Sequence, residues 1–254
     1  MDKQIFTYYK APIIYEATPG EGPVEGGTLV TISGTEFENS GTIKCFFGEN
    51  VVSARFISFQ EIQCYSPPSK FAGFVDLYIT IRENQFSKKF KFLYYDRPTV
   101  GTMSPTCGPD TGFTQLEIHG HNYVDLGQNK ARCVFNNSIY TYATIYSQEV
   151  LYCDSPPFMN KMGYSLIGQN GPNGDFYNVS VTLDGGNDLS EVAMLFHYYK
   201  QPKVIDVTPD SGPIGGQTPV SIKVTGLTQP HLCDVHVRFA NIDVDTKIKG
   251  DDTL

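Results

Sequence analysis

A chain of 254 residues has room for one large domain or two to three small ones, and its 19 basic against 27 acidic side chains leave a formal charge of −8. That balance counts against a phosphate-binding surface, and so against nucleic acid as a partner. No apolar run approaches the roughly 18 residues that would cross a bilayer, and the opening MDKQIFTYYK has neither the apolar core nor the cleavage site of a signal peptide.

With 24 Gly, 16 Pro, 16 Tyr and 17 Phe, turn formers and strand formers dominate, which predicts an all-β protein. The first phrase along the chain, F-x-Y-Y-x-x-P at residues 6–12, returns at 92–98 and 196–202, so its proline recurs after 86 and then 104 residues. Next comes TPGEGPVEGGT (18–28), answered by SPTCGPDTGFT (104–114) and TPDSGPIGGQT (208–218). The alternating runs LVTIS, QLEIH and PVSIK that follow read as half-buried strands. A third phrase is IKCFFG (43–48), ARCVFN (131–136) and DVHVRFA (234–240); a fourth is IQCYSPP (62–68) and LYCDSPP (151–157), with no third copy.

A period near 90 residues is that of a domain, since solenoid repeats run to 20–50. Short strands between Gly/Pro/Asn turns predict a seven-stranded sandwich in each unit. The Tyr-Tyr phrase falls at the end of a unit and is expected to be its last strand. The expected organisation is therefore 1–11 as the last strand of a preceding domain, 12–97 and 98–201 as two full domains, and 202–254 as an incomplete third. Junctions of two residues ending in a φ-restricted proline predict a stiff, extended line.

The shared order of P-x-x-GP-x-x-GGT, C-x-FG, I-x-C-x-SP-P and F-x-YY-x-x-P resembles the IPT/TIG immunoglobulin-like family over essentially the whole chain. The resemblance implies tandem immunoglobulin-like β-sandwiches of the IPT/TIG type. It also implies bridges within successive domains between Cys45 and Cys64 and between Cys133 and Cys153. Separations of 19 and 20 residues are too long for CxxC zinc ligands and suit two strands of a sandwich; buried free thiols are the alternative. Cys107 and Cys233 are left over, expected to be unpaired or intermolecular, with the second cysteine of the third unit absent. Bridges imply an oxidising compartment, and the sequons at Asn136 and Asn178 fit it as glycosylation sites.

Other candidates carry less. The glycines of the second phrase (Gly22, Gly26, Gly27, Gly108, Gly112, Gly212, Gly215, Gly216) are expected to supply positive φ for a corner; they lack the Lys-Ser/Thr and helix of a phosphate loop. His119 and His121 share a strand face without an acidic or cysteine partner at recognisable spacing, and the acidic stretches 184–188 and 251–252 lack a calcium-loop order. No nucleophile elbow or triad is apparent. Of Tyr94 and Tyr95, one should pack inward and the other outside or against a neighbouring domain. The loop at 164–177 is special to the second unit and is a candidate recognition loop.

The sequence therefore predicts a non-enzymatic extracellular or cell-surface protein without cofactor or metal, whose partners are proteins. The first expectation is a structural or adhesion array, part of a longer fibre-forming glycoprotein that self-associates head to tail into a filament. The ragged ends are expected to be those of a window cut from a longer tandem array, with the missing strands following Leu254; the alternative is that residues 6–12 of one copy complete the third unit of the next. The alternative is the stalk of a plexin-like cell-surface receptor.

Overall fold

The structure is a computed structural model that describes residues 10, 12–82, 85–159, 163, 165–167, 175–226, 233 and 235–249. The strand expected within residues 1–11 and the acidic pair 251–252 lie outside them. Two compact units separate at the Arg97/Pro98 junction.

In the first unit, ten strands form two sheets: β1 (Ile13–Thr18), β2 (Glu21–Pro23), β3 (Leu29–Thr35), β4 (Lys44–Phe47), β5 (Asn50–Ser53), β6 (Arg55–Ser58), β7 (Glu61–Tyr65), β8 (Gly73–Arg82), β9 (Gln85–Phe86) and β10 (Phe90–Tyr95). One sheet runs β1-β3-β7-β6 and the other β2-β10-β8-β4-β5, with β9 on β8. Alternation decides what lies between them. Val30 and Ile32 on β3, Ile62 on β7, Leu77 and Ile79 on β8 and Phe92 on β10 are all buried in one cluster. Phe47 meets Phe92 edge to face at 5.1 Å, an aromatic centre for a core without tryptophan. Burying each such side chain contributes about 1.5–3 kcal/mol.

The second unit opens with β11 (Thr99–Ser104), β12 (Cys107–Pro109), β13 (Gln115–His121), β14 (Arg132–Phe135), β15 (Ile139–Ile145), β16 (Val150–Asp154), β17 (Phe176–Thr182) and β18 (Met194–Tyr199). Its strand path is β11-β13-β16-β15-β14-β17-β18-β12. It is continuous because β15 pairs with β14 through residues 139–142 and then with β16 through 143–145. In the first unit the same stretch divides at Ala54 into β5 and β6. Beyond Lys200 come two short hairpins, β19 (Lys203–Thr208) with β20 (Ser221–Thr225) and β21 (Val237–Phe239) with β22 (Ile242–Val244).

The recurring phrases mark equivalent places. β1, β11 and β19 each carry a bulge at the same point, and a cis proline follows each of them, at Pro19, Pro105 and Pro209. The GP-x-x-G corner then packs against the SPP turn. A Cβ on Gly26 would come within 2.6 Å of the Pro67 backbone, and one on Gly112 within 2.6 Å of Pro157 N. Both glycines also have positive φ, +77° and +78°. Ser66 and Ser155 complete the contact, their Oγ atoms accepting the amides of Thr28 and Thr114 at 3.0 and 3.1 Å.

The expected positive φ holds at Gly26, Gly27, Gly112 and Gly216; Gly22, Gly108, Gly212 and Gly215 do not have it. Gly22 and Gly108 are required instead because the Thr28 and Thr114 side chains and the Phe92 and Phe196 rings fill the space a Cβ would need. Where Gly27 stands in the first unit, Phe113 and Gln217 adopt positive φ in the later ones.

The Tyr-Tyr phrase ends each full unit. Tyr94 on β10 points into the core and donates its hydroxyl to the Pro67 carbonyl at 2.7 Å; Tyr198 on β18 does the same to Pro156 at 2.8 Å. Tyr95 lies on the other side of its strand yet is only 2% exposed, whereas Tyr199 is half-buried.

A second buried tyrosine behaves differently. Phe37 and Tyr123 occupy matching sites, the Phe37 ring edge and the Tyr123 hydroxyl lying where a Cβ on Gly34 or Gly120 would sit, but that hydroxyl has no hydrogen-bond partner among the described protein groups. Burial pushes both Tyr94 and Tyr123 up to about 12.

The same substitution should therefore act with opposite sign at the two sites. Tyr94→Phe leaves the Pro67 carbonyl unpaired and should cost about 1 kcal/mol, while Tyr123→Phe removes an unpaired buried hydroxyl and should gain about 1 kcal/mol. Both hydroxyls stay protonated in the fold above the roughly pH 10 at which an unfolded tyrosine ionises. Their contribution is intact below that pH and is lost as pH rises towards 12. Urea unfolding of the two variants at neutral pH and above 10 checks both statements; each variant should show a shallower alkaline loss than the parent.

Candidate interaction surfaces and cystine bridges

The cysteines occupy three arrangements. Cys45 on β4 is joined to Cys64 on β7, and Cys133 on β14 to Cys153 on β16, with Cα separations of 6.5 and 6.4 Å. Each bond runs from one sheet to the other through a buried cluster. Cys107 on β12 is joined to Cys233, 126 residues later, with Cα atoms 6.0 Å apart. This corrects the expectation that both were unpaired or intermolecular. Spacing within one repeat cannot reveal a bond between repeats.

It also corrects the register of the third unit. The hairpin turns Phe47-Gly48, Phe135-Asn136 and Phe239-Ala240 match, with positive φ at Gly48, Asn136 and Ala240. Val237 therefore stands where Cys45 and Cys133 stand, and Cys233 belongs to the segment before β21. The third unit lacks the first cysteine of the pair.

In the first unit, the outer face of the β2-β10-β8-β4-β5 sheet carries a cluster of aromatic rings. Phe46 stacks on Tyr78 across β4 and β8 at 4.7 Å, and Phe86 stands edge-on to both at 5.7 and 5.6 Å. Exposed Val51 and Phe74 extend the same face. Lys89 Nζ lies 5.4 Å from the Tyr78 ring, and Lys89 and Lys91 both donate to Asp76, at 3.1 and 2.8 Å. Lys91 first and Lys89 second hold the Asp76 carboxyl below its ordinary range. Aromatic residues are enriched at protein contacts.

The second unit closes the same face with its own chain. Val134, the counterpart of Phe46, is fully buried outside the core cluster, with Tyr140 opposite it and Gly186 against the Tyr140 ring. Ser190 anchors the covering hairpin: it donates its amide to Val181 O and accepts the Val181 amide on Oγ. Asp184 Oδ1 accepts the amides of Gly186, Asn187 and Asp188 and the Thr182 hydroxyl. That carboxylate caps a turn, which accounts for the acidic stretch at 184–188.

The opposite sheet of this unit carries His119 and His121 on one exposed face. His119 Nε2 lies 2.8 Å from Glu117, and His121 Nδ1 4.0 Å from Glu149. Among the described residues no group of three or more His, Cys, Asp or Glu could hold a metal. Most of the candidate loop at 164–177 lies outside the described residues; its Leu166 and Ile167 pack on the core.

Asn136 and Asn178 lie side by side, the first in the β14–β15 turn and the second within β17. Beyond Lys200, the described residues include counterparts of β1, β3, β4 and β5 only. Val207, Ile222, Val237, Phe239 and Val244 line an open cleft there, equivalent to a core wall of the full units.

Residues 12–94 match the IPT/TIG domain. The second unit is a sandwich of the same type, so the chain is an all-β array of tandem immunoglobulin-like domains. It is 28% identical to plexin-A4 of Danio rerio over 245 residues, covering 91% of this chain and 12% of the relative. It is 26% identical to human plexin-A3 over 244 residues, again 91% and 12%, and 26% identical to mouse plexin-A2 over 195 residues, 75% and 10%. The chain thus spans about an eighth of the length of these relatives. A solved structure of the full extracellular region of plexin A4 aligns with 95% of this chain and 20% of its own, at 20% identity and a TM-score of 0.45. The relatives and the cystine bridges place the chain in the extracellular space or on the cell surface.

The long-range bridge yields a direct prediction. Changing Cys107→Ser should leave a single thiol, at Cys233, that reacts with a maleimide in the unfolded chain, and should leave the other two bridges untouched. Disulfide-linked dimers of the parent, broken by this substitution, would instead mean that Cys107 pairs between chains.

Proposed function

We propose that this chain is a segment of the stalk of a plexin-like cell-surface receptor, a non-enzymatic run of IPT/TIG domains that holds other parts of the protein in place. The observation that carries the reading is the match to plexins along nine-tenths of the chain, which follows the order of the units rather than one domain. It favours the second of the two functions expected from the sequence over a fibre-forming array. The organisation into domains at 12–97, 98–201 and 202–254 belongs to the same proposal.

Such a stalk needs rigid domains and few chemical groups. Each full unit supplies the first through its inter-sheet bridge, its tyrosine bond to a proline carbonyl and a dense aromatic core. Partners are proteins, and the open aromatic and lysine face of the first unit is where we place their contact.

An antibody raised against residues 12–201 tests the placement in a membrane receptor. It should stain intact, unpermeabilised cells, and the stained species should partition into detergent extracts of washed membranes. Recovery of all the antigen in the medium, as a fibrous or soluble product, would contradict the receptor reading.

A further inference from the structure

The two sequons, 42 residues apart in the chain, meet in the fold. The Asn136 amide donates to the Asn178 carbonyl at 2.8 Å, so the two acceptor residues are neighbours across β14 and β17, about 5 Å apart. Their settings differ. Asn136, Asn137 and Ser138 are all exposed, and Asn136 and Asn137 have positive φ of 49° and 56° in a tight turn closed by Ser138 N–H to Phe135 O. Asparagine is among the few side chains that accept that conformation readily, and its amide here projects beyond the end of β14 into solvent.

Asn178 is half-buried within β17, an interior strand bonded to β14 on one side and β18 on the other, with Leu195 directly opposite. The hydroxyl residue of its sequon, Ser180, is only 4% exposed.

We infer that Asn136 is the N-glycosylation site of the second unit and that Asn178 is left unmodified in the folded chain. The inference rests on the extracellular placement. In the secretory pathway the co-reactant is an oligosaccharide carried on a polyprenyl pyrophosphate. The Asn136 Nδ2 loses one proton and bonds to the anomeric carbon, while the bond from that carbon to the pyrophosphate oxygen breaks and the pyrophosphate leaves with the electron pair.

Both sequons are open while the chain is unfolded, so folding makes the distinction. A glycan on Asn136 leaves from a turn and displaces nothing. A branched sugar on Asn178 has to leave from a half-buried position on the middle of a sheet face, between Leu195 and the β14–β15 turn and beside the glycan on Asn136. Chains modified at Asn178 therefore do not complete the sandwich. The first and third units have Gly48 and Ala240 at the matching turn, so the glycan is a feature of the second unit alone.

The test uses the whole chain, secreted from a eukaryotic cell and treated in heavy-oxygen water with the amidase that converts a glycosylated asparagine to aspartate. Tryptic peptides separate the two sequons, since Lys161 lies between them. The expected result is heavy aspartate at 136 and unlabelled asparagine at 178. Asn136→Gln should remove the whole amidase-sensitive mass, and Asn178→Gln should leave it unchanged. Label at 178, or a surface-exposed chain without label at 136, overturns the inference. Neither touches the extracellular placement, which staining of intact cells judges by itself.

Discussion

The bond from Cys45 on β4 to Cys64 on β7 crosses the sandwich from sheet to sheet, and most of what is stable in the first unit is arranged around it. Both sulfurs lie in the buried cluster with Val30, Ile32, Phe47, Ile62 and Phe92. A domain of this size has no tryptophan to hold its sheets in register, and packing of branched side chains alone tolerates sliding. A covalent link between the two sheets removes that freedom and, for a loop of about 20 residues, stabilises the fold by about 3 kcal/mol. Cys133 and Cys153 repeat the arrangement in the second unit.

Around this centre, each sandwich is closed at one end by a shared set of contacts. The GP-x-x-G corner, the threonine after it, the serine of SPP and the first tyrosine of the last strand all touch one another, so phrases far apart in sequence describe one knot of structure. None of these groups is poised for chemistry. They hold backbone against backbone, which leaves the sheet faces free to differ. The difference is found there: half-buried Phe46 and Tyr78 pack with exposed Phe86 in the first unit, whereas Val134 in the second is fully buried, with Tyr140 opposite it. One scaffold thus carries a cluster of aromatic rings on the outer face in one repeat and a covered face in the next.

The repeat and the sandwich class are legible because alternation and turn residues are local signals, whereas the seven strands expected per unit become ten in the first and eight in the second. The spacings of Cys45 to Cys64 and of Cys133 to Cys153 suit two strands of a sandwich, and the family resemblance supplies their pairing. What could not be read was anything set by contacts between distant parts. Gly22 looks like a residue chosen for its φ, yet it is there because Thr28 and Phe92 occupy the space of a side chain. Cys107 and Cys233 have no partner at the spacing of the family pair, and only the fold brings them together. The position of Cys233 could have been caught from Phe239-Ala240, which matches Phe47-Gly48 and puts Val237 in the place of the missing cysteine. The aromatic cluster is not legible because Phe46 and Tyr78 alternate like any strand residues, and nothing local says which rings meet on the outer face.

The dependence of the fold on its inter-sheet bridges is measured most directly by unfolding the chain in urea with and without a thiol reductant, following tyrosine fluorescence. The account predicts that reduction lowers the stability of both units by about 3 kcal/mol each, moving both transitions to lower urea while the native signal in water is kept or partly lost. Unfolding curves that coincide with and without reductant, in a chain whose bridges are shown to be cleaved, would contradict it and would leave core packing alone as the source of stability.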